Sequence, residues 1–304
     1  MANGVRIRTL LKTSFLITSK NVSSLLYRGF VLTGRTATRM KIPIIVYHKI
    51  TDVKDGIDSL WNVPPKRFTE HMEYLWENGF NVLSLHDFQM ARINRKLPEK
   101  PIIITFDDGY ANVYERAYPV LSMYGFPATL FLTVGNIDRI EPFTWDVPLI
   151  ANDTRLKSEF RPLSWEEVRE MNDGGLVSFG SHTMTHPHLG KVSRSKIDAE
   201  LKGSKEMIEE KINRPVKFFS YPGGIKLYGD ISEKTTEALM DAGYELACTS
   251  EIGRNSIHED LYFLKRIGIS RVDSINMFKA KLVGAYDWVK FAQSTFQHFF
   301  KNVY

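Results

Sequence analysis

Short apolar segments alternate with amphipathic segments along most of this chain, and this alternation constrains its fold more than any other feature. The first strand-like segment is "IPIIVYHKI" at 42–50, and the last is "FLKRIGIS" at 263–270. Between them lie helix-like segments such as 64–80, which has apolar residues at helical spacing and ends near Gly79. Strands that alternate with helices predict βα units and a parallel sheet. The number of units predicts a barrel, incomplete or distorted.

The composition allows such a barrel to bury a sizeable core. The chain has 304 residues, of which 43% are hydrophobic and 25% charged. We predict a basic N-terminal extension at 1–41, a barrel domain at 42–272 and a C-terminal helical segment at 273–304. The single cysteine, Cys248, excludes an intrachain disulfide framework, and its strand-like surroundings predict a small core residue.

The first 41 residues carry recurring Arg and Lys residues and no acidic residue. Their longest apolar run is too short for the ~20 residues that span a bilayer, and no signal-peptide core with a cleavage site is evident. Two interpretations stay open: a solvated tail, or a basic amphipathic segment on an anionic membrane surface. A transit peptide has a similar composition. The cytoplasm or its membrane face is favoured as the compartment, and export stays open.

The formal net charge of +5 is only mildly basic. It fits an anionic partner without requiring one. No basic helix and no platform of interleaved aromatic and basic residues is evident, so nucleic-acid binding is not expected.

Residues suited to metal chemistry lie where two of the predicted strands end. Asp107 and Asp108 follow the apolar run "PIIITF", and His182 and His186 lie at the end of another strand. Parallel barrels collect their chemistry at the carboxyl ends of their strands. If the histidine segment turns helically, both imidazoles face one way and bind one metal ion. With one of the two aspartates they make a three-ligand site that suits Zn²⁺ or another divalent transition metal, and the other aspartate is left beside it as a base for water.

Three motifs carry a resemblance to a known family. "TFDDG" (105–109), "SHTMTH" (181–186) and "YPGG" (221–224) resemble the first three motifs of the polysaccharide deacetylases, carbohydrate esterase family 4, with its nodulation chitooligosaccharide deacetylase homology domain. The similarity covers roughly residues 42–272. It implies a distorted (β/α)7 barrel that removes N- or O-acetyl groups from glycans with a divalent metal, usually zinc.

The resemblance also implies a role for each matched residue. Asp107 is the general base, and the backbone N–H of Gly223 stabilises the oxyanion. The metal ligands are Asp108, His182 and His186.

Two family features are missing from their usual places. The third motif has no arginine to orient the base, and Arg266 in "LKRIGI" is a candidate to pair with Asp107 instead; the alternative is a solvent-facing or structural ion pair. The late strand "FLKRIGIS" has no histidine, but His48 ends the first strand, as in the branch similar to poly-β-1,6-N-acetylglucosamine deacetylases. On that resemblance His48 is the general acid; the alternative is a hydrogen-bonded histidine inside the barrel mouth.

Three aromatic residues, Tyr221, Trp61 and Trp145, are candidates for stacking on sugar rings, although aromatic residues also commonly fill barrel cores. Trp145 belongs to the irregular segment 136–163, which we expect to overhang the site.

The expected reaction is hydrolysis of the N-acetyl group of an amino-sugar glycan or glycolipid. Alternatives on the same site are an O-acetyl esterase and a deacylase of a lipid-linked sugar. A glycan-binding protein with a degenerate site is an alternative of another class.

Overall fold

The computed structural model describes residues 41–53, 59–147 and 153–288. Ten strands lie in these ranges: β1 Ile44–Tyr47, β2 Lys49–Ile50, β3 Asn62–Val63, β4 Asn81–Leu83, β5 Pro101–Phe106, β6 Ala128–Leu132, β7 Val177–Ser181, β8 Phe218–Ser220, β9 Leu246–Ile252 and β10 Leu264–Gly268. The α-helices there are α1 Pro65–Glu77, α2 Leu85–Asn94, α3 Tyr118–Tyr124, α4 Thr154–Glu159, α5 Trp165–Asp173, α6 Arg194–Ile212, α7 Glu233–Asp241 and α8 Ile275–Val283.

Seven parallel strands close into a ring in the order β1-β10-β9-β8-β7-β6-β5, and β5 returns to β1. Strand β5 pairs with two strands along one of its edges. Its first half pairs with β4 and its second half pairs with β1. The predicted distorted (β/α)7 barrel is therefore confirmed. The first and last strands of the ring are neighbours, so His48, which directly follows β1, lies beside the strand that holds Arg266.

Alternate residues of the strands pack on opposite sides of the barrel wall, as the period of a β-strand requires. The side chains that fill the interior form one apolar cluster, and Leu85 and Phe88 of α2 belong to it. Cys248 lies in this interior cluster and is fully buried. The opposite set of strand residues packs against the surrounding helices in a larger cluster. Met277 and Phe278 of α8 belong to that larger cluster, so the described part of the C-terminal segment shares the core of the barrel.

Local sequence signals set several helix ends. Ser164 and Glu167 form a capping box at the start of α5, in which each side chain binds the other residue's backbone N–H. Gly125 ends α3 in the left-handed region, with a φ of 64°.

The structure differs from the pattern-based expectation in several elements. The first strand is interrupted at His48, and helices α2 and α4 lie where no helix was predicted. Helix α3 is preceded by a π-helical turn over 113–117. His71 of α1 is fully buried and stacks on Phe278, although polar residues of an amphipathic helix ordinarily face solvent.

Two predicted segments lie wholly or partly outside the described residues. The basic extension at 1–41 falls there except for Lys41, and the C-terminal helical segment is described only as far as 288. Within the described ranges, no helix has the length and apolar character needed to cross a membrane.

Candidate active site

The register of the barrel strands brings the sequence-predicted residues to one edge. Tyr47 of β1 pairs with Phe106 of β5, so His48 and Asp107 are level at the carboxyl ends of neighbouring strands. The backbone N–H of Asp107 donates to the carbonyl of Tyr47 at 3.0 Å. Asp108 has a φ of 73°, in the left-handed region, and this sharp turn separates the directions of the two adjacent carboxylates.

Asp107 is held by an arginine from the last strand. The two terminal nitrogens of Arg266 donate to the two Asp107 carboxylate oxygens, each at 2.7 Å. Ser220 at the end of β8 donates its hydroxyl to Asp107 Oδ2 at 3.2 Å and accepts from Arg266 at 2.9 Å. Burial alone raises the pKa of Asp107, but the charge and hydrogen bonds of Arg266 outweigh it and hold the pKa well below its usual range. Asp107 is therefore a fixed, ionised carboxylate.

Asp108, His182 and His186 converge beside this pair. Asp108 Oδ1 lies 3.7 Å from His182 Nε2 and 3.8 Å from His186 Nε2, and the candidate ligand atoms all lie within 4.8 Å of one another. Ligands about 2.1 Å from one tetrahedral ion lie ~3.4 Å apart, so small movements bring this set to a metal ion. Within the described residues, this is the one cluster of its kind.

The chemistry of the donors also fits a metal. His182 Nδ1 lies 2.7 Å from the carbonyl oxygen of Ser220, which can only accept, so Nδ1 carries the proton and the Nε2 lone pair faces Asp108. Burial lowers the pKa of His182 to about 3 and that of His186 to about 4. Both imidazoles are therefore neutral near pH 7, as metal ligation requires. Asp108, His182 and His186 can hold a divalent metal ion.

The two histidines meet by a route that the sequence did not predict. The segment between them is not helical: Thr183 and His186 have φ values of 68° and 59°, and the loop reverses through these two left-handed residues. The Thr183 hydroxyl accepts from the backbone N–H of His186 at 2.9 Å. The rings of His182 and His186 meet edge to face, with centroids 4.8 Å apart. The expectation of a helical turn is wrong, although both imidazoles do reach the same place.

His48 lies at the same edge of the barrel as these residues, and together they line a cavity. Its ring lies against Trp61, with centroids 5.2 Å apart. Among the described residues, its buried Nδ1 has no hydrogen-bond partner. Burial lowers the pKa of His48 to about 4, against the opposing effect of the Asp107 charge, so the imidazole is neutral in the free site.

The turn after β8 places Gly223 in the cavity wall. Its φ is 69°, and a Cβ there would lie 2.7 Å from His188 Cε1 and 2.8 Å from Asp230 Oδ2, so only glycine fits. Tyr221, two residues earlier, is fully buried, and its hydroxyl donates to the carbonyl of Tyr262 at 3.2 Å. This side chain therefore has no exposed face for stacking on a sugar ring.

Trp145 lies over the metal site, held by a buried network. Its ring is 4.6 Å from the ring of His186, and its indole N–H donates to the Tyr110 hydroxyl at 2.8 Å. That hydroxyl donates to Asp146 at 2.6 Å, and Asp146 also pairs with Lys49 at 2.7 Å. Lys49 and Asp146 are both buried. The described part of the segment 136–163 therefore overhangs the site, as its sequence predicted.

One cavity of about 610 Å³ lies at this edge of the barrel. Asp107, Asp108, His48, His182, His186 and Arg266 line it, together with Gly223 and the partly exposed Trp61 and Trp145. The volume is in the range of pockets that enclose small ligands. An open carboxylate–imidazole site at the carboxyl edge of a parallel barrel, with a second carboxylate beside it, is consistent with a hydrolase that uses a divalent metal.

Comparison with known proteins agrees with this class. The sequence pattern of the family described as Polysaccharide deacetylase matches residues 94–247. YxkH of Bacillus subtilis (strain 168), whose name assigns it provisionally to the polysaccharide deacetylases, is 30% identical over 237 residues, covering 78% of this chain and 74% of YxkH. The poly-β-1,6-N-acetyl-D-glucosamine N-deacetylase of Staphylococcus aureus (strain MRSA252) is 25% identical over 218 residues, covering 69% of this chain and 68% of that enzyme.

A solved structure shows the same fold. The deacetylase PplD of Streptococcus pyogenes, in complex with acetate, matches with a TM-score of 0.66 and 26% identity, covering 81% of this chain and 99% of PplD. The chain belongs to the polysaccharide deacetylase family, as its motifs indicated. It is a hydrolase of the class that acts on carbon–nitrogen bonds other than peptide bonds.

Two parts of the site were not identified from the sequence. Ser220 joins Asp107, Arg266 and His182, and its position at a strand end was the signal that could have found it. The Lys49–Asp146 pair gave no such signal, because its residues are far apart in the chain and each is ordinary in its local sequence.

Proposed function

We propose that this protein is a metal-dependent deacetylase that hydrolyses the N-acetyl group of an amino-sugar glycan to acetate and a free amine. One observation carries the proposal: Asp107, fixed by Arg266 through two hydrogen bonds, lies beside the Asp108–His182–His186 set, with its Oδ2 4.0 Å from His182 Nε2. A fixed ionised carboxylate beside a metal-binding set is what hydrolysis by an activated water needs.

Asp107 is the proposed general base. It accepts a proton from the water that attacks the acetyl carbonyl, and Arg266 keeps both carboxylate oxygens in place while it does so. A divalent metal bound to Asp108, His182 and His186, with Zn²⁺ favoured, supplies Lewis-acid polarisation. The Gly223 N–H is the proposed donor to the developing oxyanion, and one such donor is worth about 3 kcal/mol in the transition state.

His48 is the proposed donor of a proton to the departing amine. Because its pKa is about 4 in the free site, only ~0.1% of the free enzyme holds a charged His48 near pH 7. The proton that it delivers is therefore acquired during the reaction, and the proton that Asp107 takes from water is its proposed source. The buried Nδ1, unpaired among the described residues, supports a role that is completed by substrate.

The substrate class is proposed from the cavity and from the relatives. Trp61 is 37% exposed and flanks His48, while Trp145 flanks His186, so two indole rings border the cavity near the proposed reacting atoms. Such rings suit the apolar faces of sugars. The Staphylococcus aureus relative is named for an N-acetylglucosamine polymer, which favours an N-acetyl substrate.

The test is acetate release from N-acetylated glycans, with zinc added and with chelator present. The panel contains chitooligosaccharides, β-1,6-linked N-acetylglucosamine oligomers and lipid-linked sugars, with an O-acetylated sugar as the rival ester substrate. We expect metal-dependent release from an N-acetylated member. Asp107→Asn should lose at least ~100-fold in turnover while it keeps one equivalent of zinc.

Three results would contradict the proposal. Acetate release that is unaffected by chelator would contradict the metal dependence. Wild-type turnover in Asp107→Asn would contradict the role of Asp107 as the base. Release from the O-acetyl ester alone would contradict the proposed N-acetyl substrate. A protein that binds zinc and glycan but releases nothing would support the degenerate, glycan-binding alternative.

A further inference from the structure

A buried glutamate on helix α6 binds the loop that connects the two candidate metal-ligating histidines. Glu200 is 1% exposed. Its Oε2 accepts from the backbone N–H of Met184 at 2.8 Å and from that of Thr185 at 2.9 Å. Its Oε1 accepts from the Thr185 hydroxyl at 2.6 Å. One carboxylate therefore binds two of the three residues between His182 and His186.

This loop needs such support because its conformation is unusual. Thr183 and His186 are non-glycine residues in the left-handed region, with φ values of 68° and 59°. A helix would satisfy its own backbone groups, but here the backbone must find partners elsewhere. The carbonyls of Thr183 and Met184 accept from Val134 at 3.1 Å and Gly135 at 2.9 Å, on the side of β6. Glu200 supplies acceptors from the opposite side.

We propose that Glu200 is a positioning residue for the metal centre. By holding Met184 and Thr185, it fixes the left-handed loop that aims the His186 imidazole at Asp108 and sets its distance from His182. Residues behind metal ligands commonly set affinity by fixing ligand orientation. The inference rests on the metal-dependent function proposed above, since the loop matters in this way only if the histidines bind a metal.

If Glu200 only stabilised the fold, its loss would lower stability without a specific effect on metal binding. Another glutamate of the same helix provides the control. Glu209, near the other end of α6, accepts from the backbone N–H of Val216 at 2.8 Å and pairs with Lys205 at 3.0 Å. Glu200 likewise pairs with a lysine of its own helix, Lys196, at 2.8 Å. Both glutamates bind backbone N–H groups outside the helix, but only Glu200 reaches the histidine loop.

The experiment measures metal binding directly in the full chain. Zinc affinity is obtained by competition with a chromophoric chelator, and Co²⁺ is titrated to record its d–d absorption bands, which report ligand geometry. Thermal unfolding of the metal-free proteins measures stability separately. The variants are Glu200→Ala, Glu200→Gln and the control Glu209→Ala.

We expect Glu200→Ala to weaken zinc binding by ~10–100-fold and to change the Co²⁺ bands. Glu200→Gln keeps one oxygen acceptor but replaces the other by an amide that cannot accept, so a smaller loss of about threefold or more is expected. Glu209→Ala should lose thermal stability and keep wild-type zinc affinity and Co²⁺ bands.

Folded Glu200 variants with wild-type affinity and unchanged bands would overturn the proposal. If Glu200→Ala does not fold, Glu200→Gln alone decides in the same way. Equal losses of affinity in Glu200→Ala and Glu209→Ala would also overturn it, because stability would then explain both. A wild-type protein that binds zinc but releases no acetate contradicts the proposed reaction and leaves this inference standing, whereas one that binds no metal overturns both.

Discussion

Two adjacent aspartates have different surroundings, although they are identical in the sequence. Asp107 faces Arg266 and Ser220, and Asp108 faces His182 and His186. The backbone turns sharply between them, because Asp108 adopts a φ of 73°. A left-handed conformation at a non-glycine residue costs about 1–3 kcal/mol and commonly occurs at functional sites. The strained turn lets one strand end present the proposed base and a candidate metal ligand side by side.

The pairing of Asp107 with Arg266 leads to a prediction for Arg266→Lys. A lysine ammonium keeps the positive charge but cannot donate two parallel hydrogen bonds to the carboxylate. We expect kcat to fall at least ~10-fold, because the base is no longer held in one orientation. The pKa of Asp107 is lowered by Arg266, so weaker pairing should move the acidic limb of the pH–kcat/KM profile to higher pH.

The control for this variant is Arg254→Lys. Arg254 also donates twice to one carboxylate, that of Asp287, at 3.1 and 3.0 Å, and neither residue lines the cavity. It should keep wild-type kcat and pH profile. If Arg266→Lys behaves in the same way, Arg266 does not orient the base.

At the scale of the elements, buried polar contacts hold the segment after β6. Asp146 of this segment lies in the interior with Lys49 of β2 and the Tyr110 hydroxyl as partners. The Lys49 ammonium also lies 4.8 Å from the centre of the Tyr110 ring. Through Tyr110 these contacts reach the indole N–H of Trp145, so a buried ion pair anchors the residue that covers His186.

Removing one partner of this ion pair should destabilise the protein strongly. Lys49→Met leaves the Asp146 charge buried, so we expect a loss of ~3–5 kcal/mol in the free energy of unfolding. The double variant Lys49→Met/Asp146→Asn removes both charges and should lose less than the sum of the two single variants. Urea unfolding of all four proteins measures this coupling. KM for the glycan should rise in the folded single variants, because Trp145 loses its anchor.

An exposed ion pair provides the control for the cycle. Lys217 and Glu245 pair at 2.7 Å with side chains that are 43% and 42% exposed. Exposed pairs are worth about 0–1 kcal/mol, so Lys217→Met should change stability little. Strictly additive losses at Lys49 and Asp146 would mean that the buried pair does not anchor the segment.

For the barrel as a whole, burial at the mouth determines the protonation of the site. The pKa values of His182 and His186 are lowered to about 3 and 4 because the surrounding strands and loops bury the His182 imidazole and most of the His186 imidazole. A lowered pKa favours the neutral form, so protons compete with a metal only at low pH. This protection belongs to the assembled fold, since each histidine in an unfolded chain would titrate near pH ~6.5.

Zinc affinity should therefore depend little on pH between about pH 7.5 and 5.5, a range over which exposed histidines lose bound metal. Two histidines of ordinary pKa would lose roughly 100-fold in affinity between about pH 7.5 and 5.5. Here we expect protonation of the histidines to weaken binding less than about twofold over the same range. Chelator competition at both pH values, with an exposed hexahistidine peptide as the reference, measures the difference. A fall as large as that of the peptide would contradict burial as the controlling factor.

The sequence alone determined the barrel and most of the candidate site. Strand and helix periods, capping residues and glycines act over a few positions, so they can be recognised locally. The carboxyl ends of parallel strands share one edge, which is why Asp107, Asp108, His182 and His186 could be grouped from their positions in the chain. The same local reasoning missed helices α2 and α4 and wrongly placed the two histidines on a helical turn.

Only the tertiary structure decided which distant residues support that site. The sequence offered Arg266 as one candidate partner of Asp107, 159 positions away, and the fold decided for that pairing over a solvent-facing arginine. Lys49 and Asp146 are 97 positions apart, and no sequence signal joined them. The loop between His182 and His186 takes its shape from contacts with β6 and α6 as well as from its own sequence. Buried ion pairs, lowered pKa values and left-handed turns arise when closure of the barrel excludes water and brings separate strands together. Local sequence patterns do not specify which side chains meet when the barrel closes, so these features could be identified only in the folded chain.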